Sequence, residues 1–342
     1  MRNRLKLLVF GVIFIGILAL AACGTTESSN SGAGADGSGE VRKIKVATFL
    51  RTDHLYTRDN VNMWIEKMEE ELDNVEIELI GGPEAVPEDS LFSSAQSGIV
   101  DVAFFFGSDS RDIVPRSESL RLSPYSPSEE RENGYSDWLA EEYEQAGLTY
   151  LGRWLGGFGY HFWTNKEVNS IEDFKGLKLR SNPFYLDIIQ NLNATPVNTL
   201  PGEVYTALER NMVDGFAFPL LGPSEDGWTE VTKYIIDEPF AEQSAVILMN
   251  SDSFSQFTEE EQEKIMAITA EYEEEMLKHF ADLNEKEMEN IQADGVSVIK
   301  LSDEESKKFH ELVNETIWKQ LEDFLDEEEF EKAKGFLLEE SQ

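Results

Sequence analysis

The chain of 342 residues holds 67 acidic and 29 basic residues, so its formal net charge at neutral pH is −38. A surface this negative disfavours binding to nucleic acid and to anionic lipid. The single cysteine excludes an intramolecular disulfide and a thiolate metal site within the chain.

The N-terminal residues are typical of a secretory signal. Three basic residues precede an apolar run over residues 7–20. The motif Leu-Ala-Ala-Cys that ends at Cys23 resembles a bacterial lipobox, which implies removal of residues 1–22 and lipid attachment to Cys23. An uncleaved transmembrane anchor is the alternative, but the run is shorter than the roughly 20 residues that a span needs.

Residues 23–41 are predicted to form a flexible, lipid-anchored linker, because residues 25–40 contain no apolar side chain larger than alanine. We therefore expect an extracytoplasmic protein that is held at the outer face of the cell membrane by its lipid alone. Removal of residues 1–22 takes away three basic residues and no acidic residue, so the net charge becomes −41. About 300 residues remain, enough for two domains with cores of their own.

The segment from residue 44 to residue 106 alternates between strand and helix patterns. Strands are predicted over 44–50, 75–80 and 102–106, and helices over 56–72 and 90–97. This order indicates an α/β domain with a mostly parallel sheet. His54 follows the first strand, so we expect it at the edge where such sheets bind ligands.

A second candidate site surrounds Arg180. Residues 177–180 alternate like a short strand, with Arg180 at its carboxyl end. Asn182 and Pro183 follow as a predicted N-cap and first helical residue, and the helix should reach about Leu192. A guanidinium beside a helix N-terminus suits a carboxylate. The alternative is that Arg180 pairs with one of the many acids on a solvated surface.

The C-terminal half is predicted to be mostly helical. Residues 244–250 are predicted to form a strand that returns to the α/β domain of residues 44–106. Thr258 and Glu261 form a capping box, and a long helix should continue from there to about Ala293. A short strand over 295–301 and further helices that end near Leu338 complete the chain.

Four motifs in the centre of the chain resemble the DctP-type solute-binding proteins of TRAP transporters. Their order and spacing match the family, and they lie over residues 173–180, 193–197, 202–208 and 212–215. Four ordered motifs are more specific than any one alone, and the resemblance extends over about residues 42–320.

The resemblance implies an α/β, two-lobed periplasmic-binding-protein-like (type II) fold with hinge crossovers and a long C-terminal helix spanning both lobes. Lobe I would comprise residues 42–155 plus 244–285, and lobe II residues 156–243 plus 286–342. The protein would be a monomeric solute-binding lipoprotein without a cofactor. It would capture a small organic acid through a contact between Arg180 and the carboxylate, and deliver it to the TRAP permease in the membrane.

The chain departs from the family pattern at two places. The family often has a second substrate-binding arginine near residues 156–165, where this chain has Tyr160 or His161. Polar residues usually precede the proline at 219, where this chain has Ala217 and Phe218. A sugar acid would leave hydroxyls unpaired, at about 1–3 kcal/mol for each buried group. We therefore predict that the ligand is a smaller or more apolar acid than a sugar acid. The candidate binding residues are Arg180, Tyr160, His161, Phe218, Asn182 and His54.

Two other functions are compatible with secretion. A binding lipoprotein of an ATP-driven importer would share the two-lobed design. A secreted hydrolase with paired carboxylates is the second alternative, but the sequence lacks Gly-x-Ser-x-Gly and His-Glu-x-x-His motifs. We therefore expect a binding protein and not an enzyme. We assign no metal-binding residues, and the sequence leaves open both the ligand's identity and whether a metal ion bridges the ligand and the protein.

Overall fold

The computed structural model describes residues 41–155, 159–182 and 184–338, except for the side chain of Pro201. The predicted signal peptide, Cys23 and the linker up to residue 40 lie outside these residues. None of the described helices combines the length and the apolar character that crossing a bilayer requires.

The described residues form twelve strands and ten α-helices. The strands are β1 (Arg42–Thr48), β2 (Val75–Gly81), β3 (Val102–Phe106), β4 (Leu148–Arg153), β5 (Gly159–Thr164), β6 (Lys178–Ser181), β7 (Thr195–Asn198), β8 (Gly215–Phe218), β9 (Tyr234–Ile236), β10 (Phe240–Glu242), β11 (Ala245–Asn250) and β12 (Ser297–Ile299). The α-helices are α1 (Asn62–Glu71), α2 (Glu88–Gln96), α3 (Pro127–Glu132), α4 (Tyr135–Gln145), α5 (Leu186–Asn191), α6 (Val204–Glu209), α7 (Ser251–Phe254), α8 (Glu259–Ala293), α9 (Asp303–Phe324) and α10 (Glu327–Leu337). A π-helical turn (Thr57–Val61) precedes α1, and 3₁₀ turns span Gly107–Ser110, Pro115–Leu122, Ile171–Phe174, Pro201–Glu203 and Trp228–Val231.

The first sheet has the strand order β2-β1-β3-β11-β4. β1 pairs in parallel with β2 and β3, and β11 is antiparallel to β3 and β4. Every residue of β3 and β11 is buried, as expected for continuous apolar runs in the centre of a sheet. The predicted β-α-β-α-β order of this region is confirmed, although its first helix opens with a π-helical turn.

The second sheet has the order β12-β9-β5-β8-β6-β7, with β10 paired to β5. β6 is parallel to β7 and β8, and β5 is antiparallel to β8. The carboxyl ends of β6 and β8 therefore lie at the same edge as the amino end of β5. One cluster of buried apolar side chains includes residues of both sheets, among them Phe104 and Phe162.

Arg153 ties together two segments that connect the sheets. The chain leaves the first sheet after β4 and returns to it between β10 and β11. Arg153 ends β4 and is fully buried, with one guanidinium nitrogen donating to Glu130 Oε1 at 2.8 Å. The other terminal nitrogen donates to the carbonyl of Gln243, between β10 and β11. The two crossings are thus joined by one side chain.

The long helix α8 contacts the buried clusters of both sheets. Ile265, Tyr272 and Phe280 belong to the cluster shared by the sheets, whereas Ile291 packs in the cluster that contains Trp163 of β5. The predicted helix spanning both lobes is therefore confirmed, together with its capping box at Thr258.

We expect the Thr258→Ala substitution to lower the free energy of unfolding by about 1 kcal/mol. Thr258 Oγ1 accepts from the Glu261 amide at 3.3 Å, and the Glu261 carboxylate accepts from the Thr258 amide at 2.8 Å. Chemical denaturation would measure the change, with Thr258→Ser as the control that keeps the hydroxyl. The Thr258 amide lowers the pKa of Glu261. The ionised Glu261 carboxylate therefore stabilises the folded protein fully above pH 4.5, the ordinary pKa of a glutamate. This stabilisation is lost as the pH falls through the lower pKa of Glu261 in the folded state. An alanine variant as stable as the serine variant would contradict this prediction.

Helix α10 and the C-terminal end of α9 pack against the first sheet's side of the protein, whereas Phe309 near the start of α9 packs against Phe162 and Phe240 of the second sheet. Leu321 of α9 and Leu337 of α10 belong to the buried cluster that also contains Leu139 of α4 and Val246 of β11. The division of the chain at the predicted lobe boundaries stays a prediction.

Candidate functional site

Arg180 lies at the end of β6 where the carboxyl edge of the second sheet faces the first. Leu179 points into the shared core, and strand alternation sends Arg180 to the other face. The Arg180 side chain is nevertheless almost completely enclosed, with 5% of the residue exposed. The alternative, in which Arg180 pairs with an acid on a solvated surface, is therefore excluded.

The Arg180 guanidinium is held in place by uncharged groups. Its Nε donates to the carbonyl of Thr199 at 3.2 Å, and one terminal nitrogen donates to the Tyr185 hydroxyl. Arg180 forms no ion pair with any carboxylate of the described residues. By contrast, the buried arginines 116, 121 and 153 each pair with a glutamate. A buried cation without a counter-ion is costly, so this one is suited to receive an anion.

Aromatic rings surround this position from both sheets. Tyr160 of β5 packs against Phe184 and Tyr185, with ring centroids 4.8 and 5.8 Å apart. Phe106, the last residue of β3, approaches Phe184 from the first sheet at 5.7 Å. The guanidinium of Arg121 lies 4.3 Å from the Phe184 ring centroid, and it also donates to the Phe184 carbonyl. The two sheet edges therefore meet at Phe184.

The start of α5 differs from the sequence prediction, whose first helical residue, Pro183, lies outside the described residues. The predicted N-cap is Asn182, but α5 begins at Leu186 and its N-cap position is Tyr185. Buried Phe184 and Tyr185 are held by the rings and by Arg180, and these contacts keep the backbone of Tyr185 outside the helical region. Since α5 has only six residues, we place no weight on its N-terminus as an anion site.

Two buried oxygens near Arg180 lack partners among the described residues: Asn182 Oδ1 and Thr199 Oγ1. Asn182 follows β6 and Thr199 follows β7, so both lie at the edge that holds Arg180. Buried polar atoms are rarely left unpaired in folded proteins. These oxygens are therefore available to donors of a bound ligand.

Tyr160 and His161 occupy different environments. Tyr160 packs with the rings beside Arg180, whereas His161 projects to the opposite face of β5 and pairs in register with Phe218. Burial lowers the pKa of His161 to about 4, so the ring is neutral at pH 7. Its Nδ1 has no hydrogen-bond partner among the described residues. Of the two residues, the geometry thus brings Tyr160 to Arg180.

His54 and Phe218 approach each other across the cleft at Gly222. A Cβ at Gly222 would lie 2.9 Å from the Phe218 ring and 3.8 Å from His54 Nε2. The φ of +112° at this glycine also disfavours any other residue. Burial lowers the pKa of His54, and its Nδ1 accepts from the Tyr56 amide at 3.2 Å. His54 is therefore a neutral group at the cleft, away from the Arg180 contacts described above.

Ion pairs at the margin of the cleft join the segment that contains His54 to the segment that contains Gly222. Arg58 contacts Glu225 at 3.0 Å, and Arg51 contacts Asp226 at 3.7 Å. The hydroxyl of Tyr56 donates to the carbonyl of Leu221 at 3.4 Å. The structure thus has the two sheet edges in contact at this margin as well as at Phe184.

Sequence reasoning did not single out two acids that follow strands of the first sheet, Glu88 and Asp109. Both residues are exposed, although partial desolvation by the surrounding protein raises the pKa of each carboxyl, to about 7 for Asp109. The charge of Arg180 acts on Glu88 in the opposite sense. Asp109 follows β3 and Glu88 opens the helix after β2. The rule that placed His54 at the sheet edge would have found both acids.

The residues of 41–338 that the structure describes include no group of three or more His, Cys, Asp or Glu side chains arranged to hold a metal ion.

A family model described as bacterial extracellular solute-binding protein, family 7 (DctP), matches residues 47–323. A curated relative, the ectoine-binding periplasmic protein TeaA of Halomonas elongata, is 27% identical over 43% of this chain. That alignment covers 44% of TeaA, so the chain spans less than half the length of this relative.

Two solved structures have similar folds. A TRAP periplasmic solute-binding protein from Ochrobactrum anthropi has a TM-score of 0.76 and 20% identity, over 87% of this chain and 95% of that one. Another, from Sulfitobacter with bound β-D-galacturonate, has a TM-score of 0.72 and 16% identity, over 86% and 99%. The predicted two-lobed type II fold is thereby confirmed.

Proposed function

Because the chain belongs to the DctP family of bacterial extracellular solute-binding proteins, we propose that it captures a small organic acid and delivers it to the membrane permease of a TRAP transporter. The family consists of solute-binding proteins and not of enzymes. For this chain we likewise propose binding without turnover. The ATP-driven importer and the secreted hydrolase are not favoured.

The observation that best supports this proposal is that the Arg180 guanidinium is buried without a counter-ion among the described residues. Its guanidinium is buried at the meeting point of the two sheets and has no carboxylate partner among the described residues. A planar fork of donors matches the two oxygens of a carboxylate. A charge-assisted bond of this kind contributes about 1.5–3 kcal/mol net. The ligand's carboxylate would supply the missing counter-ion.

Contacts on both sides of the cleft provide a mechanism for closure. A ligand stabilises the closed form only if it binds that form more tightly than the open one. An acid bound to Arg180 would lie beside Phe184 and Tyr160 of the second sheet and near Phe106 of the first. Its contacts to both would favour closure, and the closed form would be the one that docks on the permease. The protein's strongly negative charge is screened beyond about 8 Å at physiological salt, so it does not prevent this capture.

We also propose the location of the mature protein. Cleavage of residues 1–22 would leave Cys23 as the lipidated first residue. Residues 23–41 would then tether the binding unit to the outer face of the membrane. An extracellular family agrees with this location, and detection of lipid on Cys23 by mass spectrometry would test the anchor.

Native mass spectrometry of freshly purified protein would test the proposed function. We expect a complex whose excess mass corresponds to a small carboxylic acid, and we expect the complex to disappear in the Arg180→Ala variant. Steady turnover of the released ligand by the protein would favour the hydrolase instead. A co-purified ligand without a carboxylate would contradict the proposal.

We expect the Phe218→Asn substitution to increase the response to polyhydroxylated acids. Phe218 packs against Trp228 with ring centroids 5.1 Å apart, and it lies next to Gly222 at the cleft. An amide here would pair with sugar hydroxyls that a ring leaves unpaired. The measurement is the rise in melting temperature that galacturonate causes in each variant.

Phe218→Leu is the matched control, because it opens similar space without adding a hydrogen-bonding group. Wild-type protein stabilised by galacturonate as strongly as the Phe218→Asn variant would contradict the predicted preference for less hydroxylated acids.

A further inference from the structure

We propose that Arg121 is a positioning residue of the site around Arg180: it fixes Phe184 and Tyr185, so that Tyr185 holds the Arg180 guanidinium in its binding orientation. This inference rests on the proposed function and assigns a further residue to that site. It follows from direct contacts that lead from the 3₁₀ turn Pro115–Leu122 to Arg180.

Arg121 contacts Phe184 through both the backbone and the ring of that residue. One terminal guanidinium nitrogen donates to the Phe184 carbonyl, and the guanidinium carbon lies 4.3 Å from the centroid of the Phe184 ring. A guanidinium over a ring face adds the attraction between a cation and a π-system to the hydrogen bond. The two contacts together fix the place of Phe184 and the orientation of its ring.

A second connection runs from Arg121 to the first turn of α5. The terminal nitrogen that pairs with Glu118 also donates to Gln320 Oε1 of α9 at 2.9 Å. Gln320 Nε2 in turn donates to the carboxylate of Asp187 in α5. Because α5 has only six residues, its position depends on tertiary contacts and not on its own hydrogen bonds. Contacts that begin at Arg121 therefore hold the chain on both sides of Tyr185.

Tyr185 connects this segment to Arg180. Its side chain is fully buried, and its hydroxyl accepts a hydrogen bond from a terminal guanidinium nitrogen of Arg180. The carbonyl of Thr199 accepts from Arg180 Nε at 3.2 Å. A long side chain that is held at two of its atoms has already lost rotamer freedom, so less entropy is lost when a solute binds. Displacement of Tyr185 would remove one of these two contacts.

Arg121 itself is not available to a solute. Its side chain has no exposed surface, and its charge is neutralised by Glu118 at 2.8 Å. Arg180, by contrast, has no carboxylate partner among the described residues. Of the two arginines, only Arg180 can therefore receive an anion. Arg121 acts through Phe184 and Tyr185, without touching the solute.

Arg116, in the same 3₁₀ turn, makes an equivalent set of contacts at another place. It donates to the carbonyl of Trp138, and its guanidinium carbon lies 4.9 Å from the centroid of the Trp138 ring. It also pairs with Glu329 at 2.8 Å. Trp138 belongs to a different buried cluster from Phe184. The same type of contact is thus made twice, and the one made by Arg121 is the one that leads to the candidate site.

Matched lysine substitutions would separate positioning from general stability. Arg121→Lys keeps the positive charge beside Glu118 but cannot reproduce the planar fork that contacts Phe184. We expect it to weaken binding of the carboxylic acid recovered from denatured wild-type protein about fivefold in calorimetry, the effect of one lost hydrogen bond. Arg116→Lys makes the same change at Trp138. It should lower the melting temperature by a similar amount but leave this affinity within twofold of the wild type.

Equal losses of affinity in Arg121→Lys and Arg116→Lys would overturn the proposal, because both would then reflect lost stability alone. Unchanged affinity in Arg121→Lys would overturn it as well.

A double-mutant cycle would show whether Arg121 acts through Tyr185. Tyr185→Phe removes the hydroxyl that Arg180 contacts and keeps the ring. If the effect of Arg121 depends on that hydroxyl, Arg121→Lys should change the affinity less than twofold in the Tyr185→Phe background. Two losses that multiply fully would show that Arg121 acts by another route, and would overturn the proposal.

Crystal structures without a solute would test the same contacts directly. The double substitution of Glu118→Gln with Arg121→Met removes both buried charges together, so neither is left without its partner. We expect the Tyr185 hydroxyl of this variant to lie beyond hydrogen-bond distance from the Arg180 guanidinium. An unchanged contact between Tyr185 and Arg180 would overturn the proposal.

The outcomes separate this inference from the proposed function. An acid whose binding is abolished by Arg180→Ala but unchanged by Arg121→Lys would overturn the role of Arg121 and keep the proposed function. A co-purified solute without a carboxylate would contradict the proposed function. The crystal structures without a solute would then still decide whether Arg121 positions Arg180.

Discussion

Replacing Arg180 by alanine should lower the affinity for the co-purified ligand at least tenfold, the equivalent of about 1.4 kcal/mol. The guanidinium is buried, and Thr199 and Tyr185 orient it without neutralising it. Its removal would leave the ligand carboxylate in a poorly hydrated site without a counter-ion. Arg180→Lys should also weaken binding, because a point charge cannot reproduce the planar fork. Calorimetry with the isolated ligand would measure both variants.

Arg210→Ala is a suitable control for this experiment. Arg210 lies just after α6 in the same part of the chain, is exposed, and forms no ion pair with the described residues. The Arg210→Ala substitution removes the same positive charge as Arg180→Ala but leaves the cleft unchanged. The affinity for the ligand should therefore stay within twofold of that of the wild-type protein. Unchanged affinity in both Arg180 variants would contradict the assignment of Arg180 to the ligand.

The largest expected effect on stability follows from Arg153→Leu, which should lower the free energy of unfolding by about 3–5 kcal/mol. Arg153 and Glu130 are both almost completely buried, and their contact is 2.8 Å. The substitution leaves the Glu130 carboxylate without its cation and the Gln243 carbonyl without its donor. Denaturant unfolding at pH 7 would measure the loss.

A double substitution separates two causes of this loss of stability, the uncompensated charge of Glu130 and the lost packing of Arg153. Replacing Glu130 and Arg153 by leucine together should recover much of the stability, because no unpaired charge then remains in the interior. Lys43→Met is the surface control, since Lys43 pairs with Glu76 at 3.0 Å while both side chains are more than half exposed. Such a pair contributes only about 0–1 kcal/mol. Equal losses in Arg153→Leu and Lys43→Met would refute the prediction.

Elements with strong local signals were predictable from the sequence. Helix α8 runs from Glu259 to Ala293, as the capping box at Thr258 predicts, because its start is set by bonds between residues three apart. The continuous apolar runs of β3 and β11 likewise form fully buried strands, since such runs are stable only inside a sheet. The position of Arg180 at the sheet edge also follows from alternation and strand order.

The segment after Arg180 shows where local patterns fail. Asn182 and Pro183 have the signals of a helix start, yet α5 begins at Leu186. The rings of Phe184 and Tyr185 are buried against residues more than 20 positions away, among them Tyr160 and Phe106. The free energy gained by burying two large rings exceeds what one N-cap contributes.

The sequence by itself determined the family, the two α/β lobes and the arginine on which the proposed function depends, because motifs, periodicity and caps act over short distances along the chain. Only the tertiary structure decided what surrounds Arg180. Thr199 and Tyr185 hold its guanidinium from outside β6, Phe106 of the first sheet packs against the neighbouring Phe184, and the absence of a counter-ion among the described residues cannot be derived from spacing. Whether a buried charge is neutralised depends on packing between distant segments, and pairing of that kind leaves no periodic signal in a single sequence.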